Sequence, residues 1–375
     1  MIYYVAFYNP IQELGNRVAN FAGEDKIDYI CKAINEIGQP VTILSNTKSI
    51  KNKYLKTKIY KETDQKRIIM FASFPKKGKI LHLFNVLFGY IQLTSFLIRN
   101  VKNKDVVIVY HSLGYRDIIR KIRNIKKFRY ILEVEELFQY IDASNSSFKS
   151  KENIVFNTPD GFIFSNSYLD SKLNIKKKPS VVVNGIYNTE PKVIDKVKLS
   201  YVTVVYAGSL EPQKGVDYVI KSAEFLDESY EIRIIGFGSK TNKKRVLDLI
   251  NKTNESSKCK VYFDGTFKGE EYIKYLQKCD IGVCIQSPDD LFNMYEFPSK
   301  IFSYMSNGLK VVTNNLKQIE QSKVYPYLII ADGIGSKEVA NAIRKAKIDT
   351  RSPEAIMKDL DYEFKIELKE LLKGD

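Results

Sequence analysis

Side chains that ligate transition metals are scarce in this chain. Its 375 residues include two histidines, His82 and His111, too few for a zinc centre of the usual kind. The four cysteines, Cys31, Cys259, Cys279 and Cys284, are scattered and form no C-x-x-C pair. They read as reduced thiols of a cytosolic protein, not as a disulfide frame. Tryptophan is absent, which decides nothing by itself. There is no G-x-x-x-x-G-K-[ST] loop, no repeat of solenoid period and no recognised nucleic-acid motif. Met1 to Tyr8 lack the basic region and cleavage site of a signal peptide and look like a first β-strand.

Acidic residues are missing locally. The net charge is +15, and residues 76–129 hold 13 basic residues against Asp105 and Asp117, a net +11 from one stretch. Such a patch suits lipid head groups, a lipid diphosphate or nucleic acid; the plain alternative is a solvated lysine-rich surface. Without a nucleic-acid motif, the expected partner is an anionic membrane met through residues 76–129, at the inner face of the cell membrane. Charge is absent altogether from Ile80 to Ile98, about the length of a membrane helix. His82, Asn85, Gly89, Gln92 and Arg99 fall along one side of that helix. Three readings stand open: a helix lying on a membrane or meeting a lipid acceptor, a buried helix, and a true span.

What is present is a regular alternation of short β-branched and aromatic runs with helical stretches. Strands are predicted near 2–8, 40–45, 67–72, 105–110, 129–134 and 161–165, then near 202–207, 231–236, 260–264, 280–285, 309–313 and 327–331. Between them lie helices such as Asp25–Ile37, and those near 216–227, 241–252, 270–278, 299–306 and 336–347. With 44% hydrophobic and 27% charged residues, this rhythm argues for α/β architecture with two parallel sheets. The expected division is 1–185, 186–350 and a helical 351–375.

Two segments carry the chemistry. Tyr206-Ala-Gly-Ser-Leu-Glu-Pro-Gln-Lys214-Gly-Val runs from an apolar strand through Gly208 and Ser209 to a helix start, with one cation at Lys214. Phe297-Pro-Ser-Lys-Ile-Phe-Ser303 sets Pro298, Ser299, Lys300 and Ser303 at another helix start. Backbone N–H groups, a helix N-terminus and lysines around one pocket suit a diphosphate. The plainer readings are an exposed helix-start lysine and a proline that simply begins a helix. Gly236 and Gly238, ending a strand, allow either a close approach of ligand or a tight turn.

Together with Ile234-Ile-Gly-Phe-Gly238, Phe263-Asp-Gly265, Cys279-Asp-Ile-Gly-Val283 and Phe297–Thr313, these segments make the C-terminal half resemble the retaining glycosyltransferases of group 1, the family-four class of GT-B fold. The N-terminal half is similar more loosely, through Ile131–Leu137 and Asn184–Asn188. The resemblance implies two Rossmann-like domains facing across a cleft, the final helix crossing back to the first. It implies transfer of a sugar, with retention, from a nucleoside diphosphate, a UDP-sugar ahead of a GDP-sugar, to a lipid-linked or polysaccharide acceptor in surface polysaccharide assembly. No metal or further cofactor is implied. Lys214 would stabilise the departing diphosphate. The family's usual basic residue at Ser209 is missing, and Lys300 is a candidate to replace its charge. The two glutamates of the family's E-x7-E pattern fall at Tyr295 and Ser303; Glu296 is the substitute for the first. The donor phosphate would also approach Gly15 and Asn16, with Arg17 nearby, unless that stretch is only a surface loop. Glu135, where the family often has histidine, is a candidate for carboxylate catalysis or a helix cap. His111 is a second candidate, and Asp289-Asp290 read as solvated. The rivals are an inverting transferase or 2-epimerase, and a non-catalytic partner in an assembly complex.

Overall fold

A computed structural model describes residues 1–18, 21–110, 115–135, 155–195, 200–287 and 297–374, without the side chains of residues 21, 22, 116 and 117. Five of the positions singled out above, His111, Asp289, Asp290, Tyr295 and Glu296, lie outside the described residues. The chain forms two compact units. One comprises Met1–Ser165, Leu169–Val183 and Phe364–Asp375, the other Asn166–Tyr168 and Asn184–Glu363.

The first unit is built on an eight-stranded sheet. Its strands are β1 (Ile2–Ala6), β2 (Val41–Ser45), β3 (Lys58–Lys61), β4 (Lys66–Met70), β5 (Val106–Tyr110), β6 (Arg129–Val134), β7 (Gly161–Phe164) and β8 (Ser180–Val182). They lie in the order β3-β4-β2-β1-β5-β6-β7-β8. All pairs are parallel except β3 with β4. Strands such as Val-Val-Ile-Val at 106–109 are buried along their length, as parallel strands covered on both faces must be. The helices are α1 (Phe21–Glu36), α2 (Gly78–Asn100), α3 (Arg116–Ile125) and α4 (Ser167–Leu173). Ile27, Ile30, Ala33 and Ile34 of α1 are buried, the face their spacing predicts.

Two strands went unforeseen. β3 is an exposed edge piece with lysine at both ends, so it carries no alternating apolar signal. β8 has three residues, below the length at which a pattern shows.

Helix α2 resolves the polar stripe in an unexpected direction. Asn85 and Gly89 are buried, while Ile80, Leu83, Leu87 and Ile91 are exposed. The Asn85 side-chain amide donates to the Phe74 carbonyl at 2.9 Å and accepts from the Phe74 N–H at 3.0 Å. Gln92 makes the same pair of bonds to Ala72, both at 3.0 Å. A Cβ on Gly89 would collide with Asn46. The middle of the stripe therefore serves the protein, not the solvent, while His82 and Arg99 at its ends are exposed: Asn85 and Gln92 satisfy backbone groups beyond the end of β4 that would otherwise lack partners. The buried-helix reading fails for the opposite face.

The second unit holds six parallel strands, β9 (Val202–Ser209), β10 (Tyr230–Phe237), β11 (Lys260–Gly265), β12 (Ile281–Cys284), β13 (Lys310–Asn314) and β14 (Ile329–Ala331). Their order is β11-β10-β9-β12-β13-β14. The chain steps from β9 to one side and later returns to the other, so the sheet has its topological switch point between β9 and β12. Its helices are α5 (Val216–Lys221), α6 (Lys240–Ser256), α7 (Gly269–Lys278), α8 (Lys300–Ser306), α9 (Lys317–Glu320) and α10 (Ser336–Ile348). Val204, Ile232, Ile234, Val283, Val312 and Val339 are among the residues of one buried core. Helix α5 is shorter than its pattern suggests, giving way to a 3-10 turn over Ser222–Phe225. There the buried Ser222 hydroxyl donates to the Val219 carbonyl at 2.7 Å and competes for helix acceptors.

A last helix, α11 (Pro353–Lys373), runs from the second unit into the first. In the first unit its Phe364 ring stacks on Tyr29 at 5.5 Å, Lys365 pairs with Glu36, and the Leu371 carbonyl accepts from Arg129 Nε at 3.0 Å.

Candidate functional site

The second unit gathers most of the candidate residues at the C-terminal ends of β9 and β10, beside the switch point. β9 ends at Ala207-Gly208-Ser209 and the chain turns through Pro212–Lys214 to Gly215. Gly215 sits at φ 80°, and a Cβ there would strike the Ile285 carbonyl. The buried Tyr206 hydroxyl spans the turn, meeting the Ser209 carbonyl at 2.6 Å and the Lys214 carbonyl at 3.1 Å. It thus fixes both ends of the segment that carries Lys214.

Helix α8 is pinned to the same place. Tyr304 Oη accepts from the Ala207 N–H at 2.8 Å, and its ring fills the space left by Gly282, where any Cβ would overlap it. Lys300, the first residue of α8, then reaches back over β9. Its ammonium lies 3.9 Å from the Tyr206 ring centroid, a cation–π contact. A Cβ on Gly208 would occupy the space of the Lys300 side-chain end. Burial pushes the Lys300 ammonium down to about 8, and the charge of Lys214 adds to the push. Neither lysine has a carboxylate partner among the described residues. The nearby acids are engaged otherwise: Asp217 pairs with Arg245, and Glu211 accepts from the Gln213 amide at 3.3 Å. Two cations near enough for the charge of one to act on the other, with no counterion among the described residues, create a local positive potential that an anion would relieve. Helices α5 and α8 span six and seven residues, so their dipoles add little beside the lysines.

The remaining positions close in around this pair. Gly236 is in register with Gly208, and a Cβ on it would overlap the Gly208 carbonyl oxygen. Thr266 Oγ1 donates to the Gly236 carbonyl at 2.7 Å, tying the loop after β11 to the same corner. Gly238 packs against Leu210. Pro298 is buried and Ser299 is exposed at the start of α8. Ser303, where the resemblance places a glutamate, has its hydroxyl 3.1 Å from that of Tyr272. Ser209 Oγ accepts weakly from the Glu211 N–H at 3.4 Å.

Residues 201–347 match the family model of the group 1 glycosyl transferases.

The second unit is a glycosyltransferase domain by that match. Solved structures align with the whole chain. A trehalose-6-phosphate synthase from E. coli bound with UDP-2-fluoro glucose is 13% identical, with a TM-score of 0.65, covering 100% of this chain and 99% of that one. A UDP-forming α,α-trehalose-phosphate synthase from Burkholderia xenovorans in complex with glucose-6-phosphate is 11% identical, with a TM-score of 0.63 and coverage of 100% and 99%. A sucrose-phosphate synthase from Thermosynechococcus elongatus is 12% identical, with a TM-score of 0.59 and coverage of 98% and 94%. At such identities the likeness speaks for the fold, two Rossmann-like domains of GT-B type. No curated protein matches the chain.

Within the glycosyltransferase domain the glycines are structural before they are functional. Gly236→Ala is expected to destabilise the protein by about 3 kcal/mol or more, since the new methyl must displace the backbone of β9. Thermal unfolding would read this as a fall of several degrees; an unchanged midpoint would mean the two strand ends are not so close.

Four further candidates lie in the first unit. Gly15 adopts φ 73° with open space around it, and the Asn16 carbonyl accepts from the Ile50 N–H at 2.9 Å. Arg17 is a correction. Its guanidinium is fully buried, donating to the Thr47 carbonyl at 2.6 Å beside Glu13 at 3.8 Å, so it offers no charge to a ligand. Glu135 does not stand alone: its carboxylate is 2.6 Å from the Lys26 ammonium, which also donates to the Val183 carbonyl at 3.1 Å, and the segment it would cap lies outside the described residues.

Sequence reasoning passed over the neighbouring Glu133. It is fully buried in β6 and accepts from the Tyr4 hydroxyl. Burial raises its pKa well above the usual carboxyl range, and the charge of Glu135 raises it further. The signal was legible, since an acid inside the run Ile131-Leu132-Glu133-Val134 must be neutral or paired. The folded chain keeps a proton here that the unfolded chain releases, so stability falls as pH rises above the ordinary glutamate range. Glu133→Gln is expected to flatten this dependence, and its gain over wild type in urea midpoint should be larger at pH 8 than at pH 5. Parallel curves for the two proteins would mean that Glu133 is ionised in the fold.

Proposed function

We propose that the chain transfers a sugar from a nucleoside diphosphate sugar to a hydroxyl of its acceptor with retention of configuration. The observation that carries this reading is the pair Lys214 and Lys300 beyond the end of β9, beside the switch point of the sheet, neither with a carboxylate partner among the described residues and the Lys300 side chain lying against Gly208. The donor's diphosphate sits against this pair, with Ser209 and the backbone N–H groups of the turn as further donors. The acceptor hydroxyl approaches the anomeric carbon on the face from which the diphosphate departs. The bond from that carbon to the phosphate oxygen breaks, the new glycosidic bond forms, and the hydroxyl proton passes to the leaving phosphate. The lysines act chiefly on the charge that develops on the diphosphate, which makes them catalytic as well as binding groups.

Ser303 with Tyr272 presents hydroxyls to the ribose where the family pattern has a carboxylate. The loop tied by Thr266 to Gly236 flanks the base. A UDP-sugar is favoured over a GDP-sugar; the structural neighbour bound with UDP-2-fluoro glucose supports a uridine nucleotide. The acceptor is assigned to the lipid-linked or polysaccharide class, in surface polysaccharide assembly, on the basic character of residues 76–129. Glu135, salt-bridged to Lys26 in the first unit, is kept as the candidate orienting carboxylate.

The test is a transfer assay with a panel of UDP- and GDP-sugars, followed by proton NMR of the product anomer. An axial-linked product from an axial donor supports retention. An inverted product, or a 2-epimerised nucleotide sugar, would replace this reading with one of its rivals.

A further inference from the structure

We propose that the outward face of α2 docks the first unit onto an anionic lipid surface, with the helix lying in the plane of the interface. Amphipathic surface helices normally turn their apolar side inward; α2 does the reverse. Its inward side is Asn85, Gly89 and Gln92, joined by the buried Leu93 and Leu97. Its outward side is Ile80, Leu83, Phe84, Leu87 and Ile91, with Ile80 89% and Leu87 52% exposed. These positions follow the i, i+3, i+4, i+7, i+11 spacing of one helical face. The result is a continuous apolar stripe on a helix of 23 residues, about 34 Å long.

Charge identifies the occupant. Lys76, Lys77 and Lys79 precede the stripe and Arg99, Lys102 and Lys104 follow it, all exposed. No aspartate or glutamate occurs from Gln65 to Lys104. Helix α3, packed beside α2, adds the exposed Arg120 and Lys121. A second copy of the chain on this face would bring cations against cations in either orientation. Anionic head groups meet the flanking cations while the acyl boundary takes the apolar stripe. The length and apolarity of α2 would also suit a membrane span. To cross, however, it would have to abandon the Asn85 and Gln92 bonds to residues 72–74 and expose those backbone groups.

The proposal is independent of the transfer reaction, and its test is kept apart from activity. The full chain is sedimented with vesicles of phosphatidylcholine carrying about 30% phosphatidylglycerol, and with pure phosphatidylcholine, at about 0.1 M salt. Wild type is expected to sediment with the anionic vesicles and far less with the neutral ones. Each flanking cation is worth about a fivefold change in partition, so the Lys76→Gln, Lys77→Gln, Lys79→Gln triple variant should bind about a hundredfold more weakly. Leu83→Glu with Leu87→Glu should abolish binding while leaving the thermal midpoint unchanged, because both side chains are exposed. Should that double variant fold poorly, the lysine triple variant carries the test alone. Absence of wild-type binding to anionic vesicles would overturn the proposal, as would equal binding by the lysine variant. So would sedimentation velocity showing a wild-type dimer that Leu83→Glu converts to monomer.

Discussion

Replacing Lys214 by alanine is expected to lower the turnover of sugar transfer about a hundred- to a thousandfold, the usual effect of deleting one group that stabilises a developing oxyanion. The fold should hardly notice. Lys214 is partly exposed and makes no ion pair among the described residues, so its loss leaves no partner stranded. Its backbone carbonyl, which receives the Tyr206 hydroxyl at 3.1 Å, survives the substitution. Loss of activity with an unchanged melting curve would mark a group acting on substrate charge. Turnover within a factor of two or so of wild type would remove Lys214 from the proposed site, and absence of turnover in the wild type itself would favour a non-catalytic binding partner.

Lys300→Met is expected to act in opposite directions on binding and on stability. The ammonium sits in a partly buried corner against the Tyr206 ring and is pushed down to about 8 by burial, with Lys214 contributing. The unfolded chain binds that proton up to the ordinary lysine range near 10.5. Stability therefore rises as pH climbs from about 8 towards that value, and below about 8 the cost of holding the charge stands in full. Methionine fills similar volume without the charge and should stabilise the protein at neutral pH by about 1–2 kcal/mol. The same change should weaken binding of a nucleoside diphosphate by a hundredfold or so, since the buried cation is the one least screened by water. A pH series separates charge from packing. Wild-type affinity should hold below pH 8 and fall by up to about tenfold per unit above it, whereas Lys300→Arg should show no such fall. Calorimetric titration with UDP would show both trends; a wild-type affinity flat through pH 9 would mean the ammonium does not meet the ligand.

Much of the architecture was open to reading from the chain alone, because parallel strands buried on both faces announce themselves as short unbroken apolar runs. Val-Val-Ile-Val at 106–109 and Val-Thr-Val-Val-Tyr at 202–206 are of this kind. What escaped was local. The edge strand at 58–61 has no buried face to leave a pattern, and α5 ends early through a serine hydroxyl that periodicity does not register. Within the second unit, Gly208, Ser209, Lys214, Gly236 and Lys300 were found by type and spacing and do come together. Their meeting through Tyr206 and Tyr304 was not legible, since an aromatic residue in a strand or helix looks like core until its hydroxyl has a partner. Arg17 misled for a related reason: a cation in a glycine-containing loop looks available, and only packing shows it sealed against Glu13 and Thr47. Helix α2 is the instructive case. Its polar stripe was visible, but which way a stripe faces depends on what lies beneath it, here the backbone of residues 72–74.

Thermal unfolding with saturating UDP at neutral pH tests the central claim most directly. A ligand held at about a hundred times its dissociation constant stabilises the native state by about 2.7 kcal/mol. Wild type should show a clear rise in midpoint with UDP, while Lys214→Ala and Lys300→Met should show little or none. If no nucleoside diphosphate raises the wild-type midpoint, or if both variants respond as wild type does, the two lysines beyond the end of β9 are not a diphosphate site.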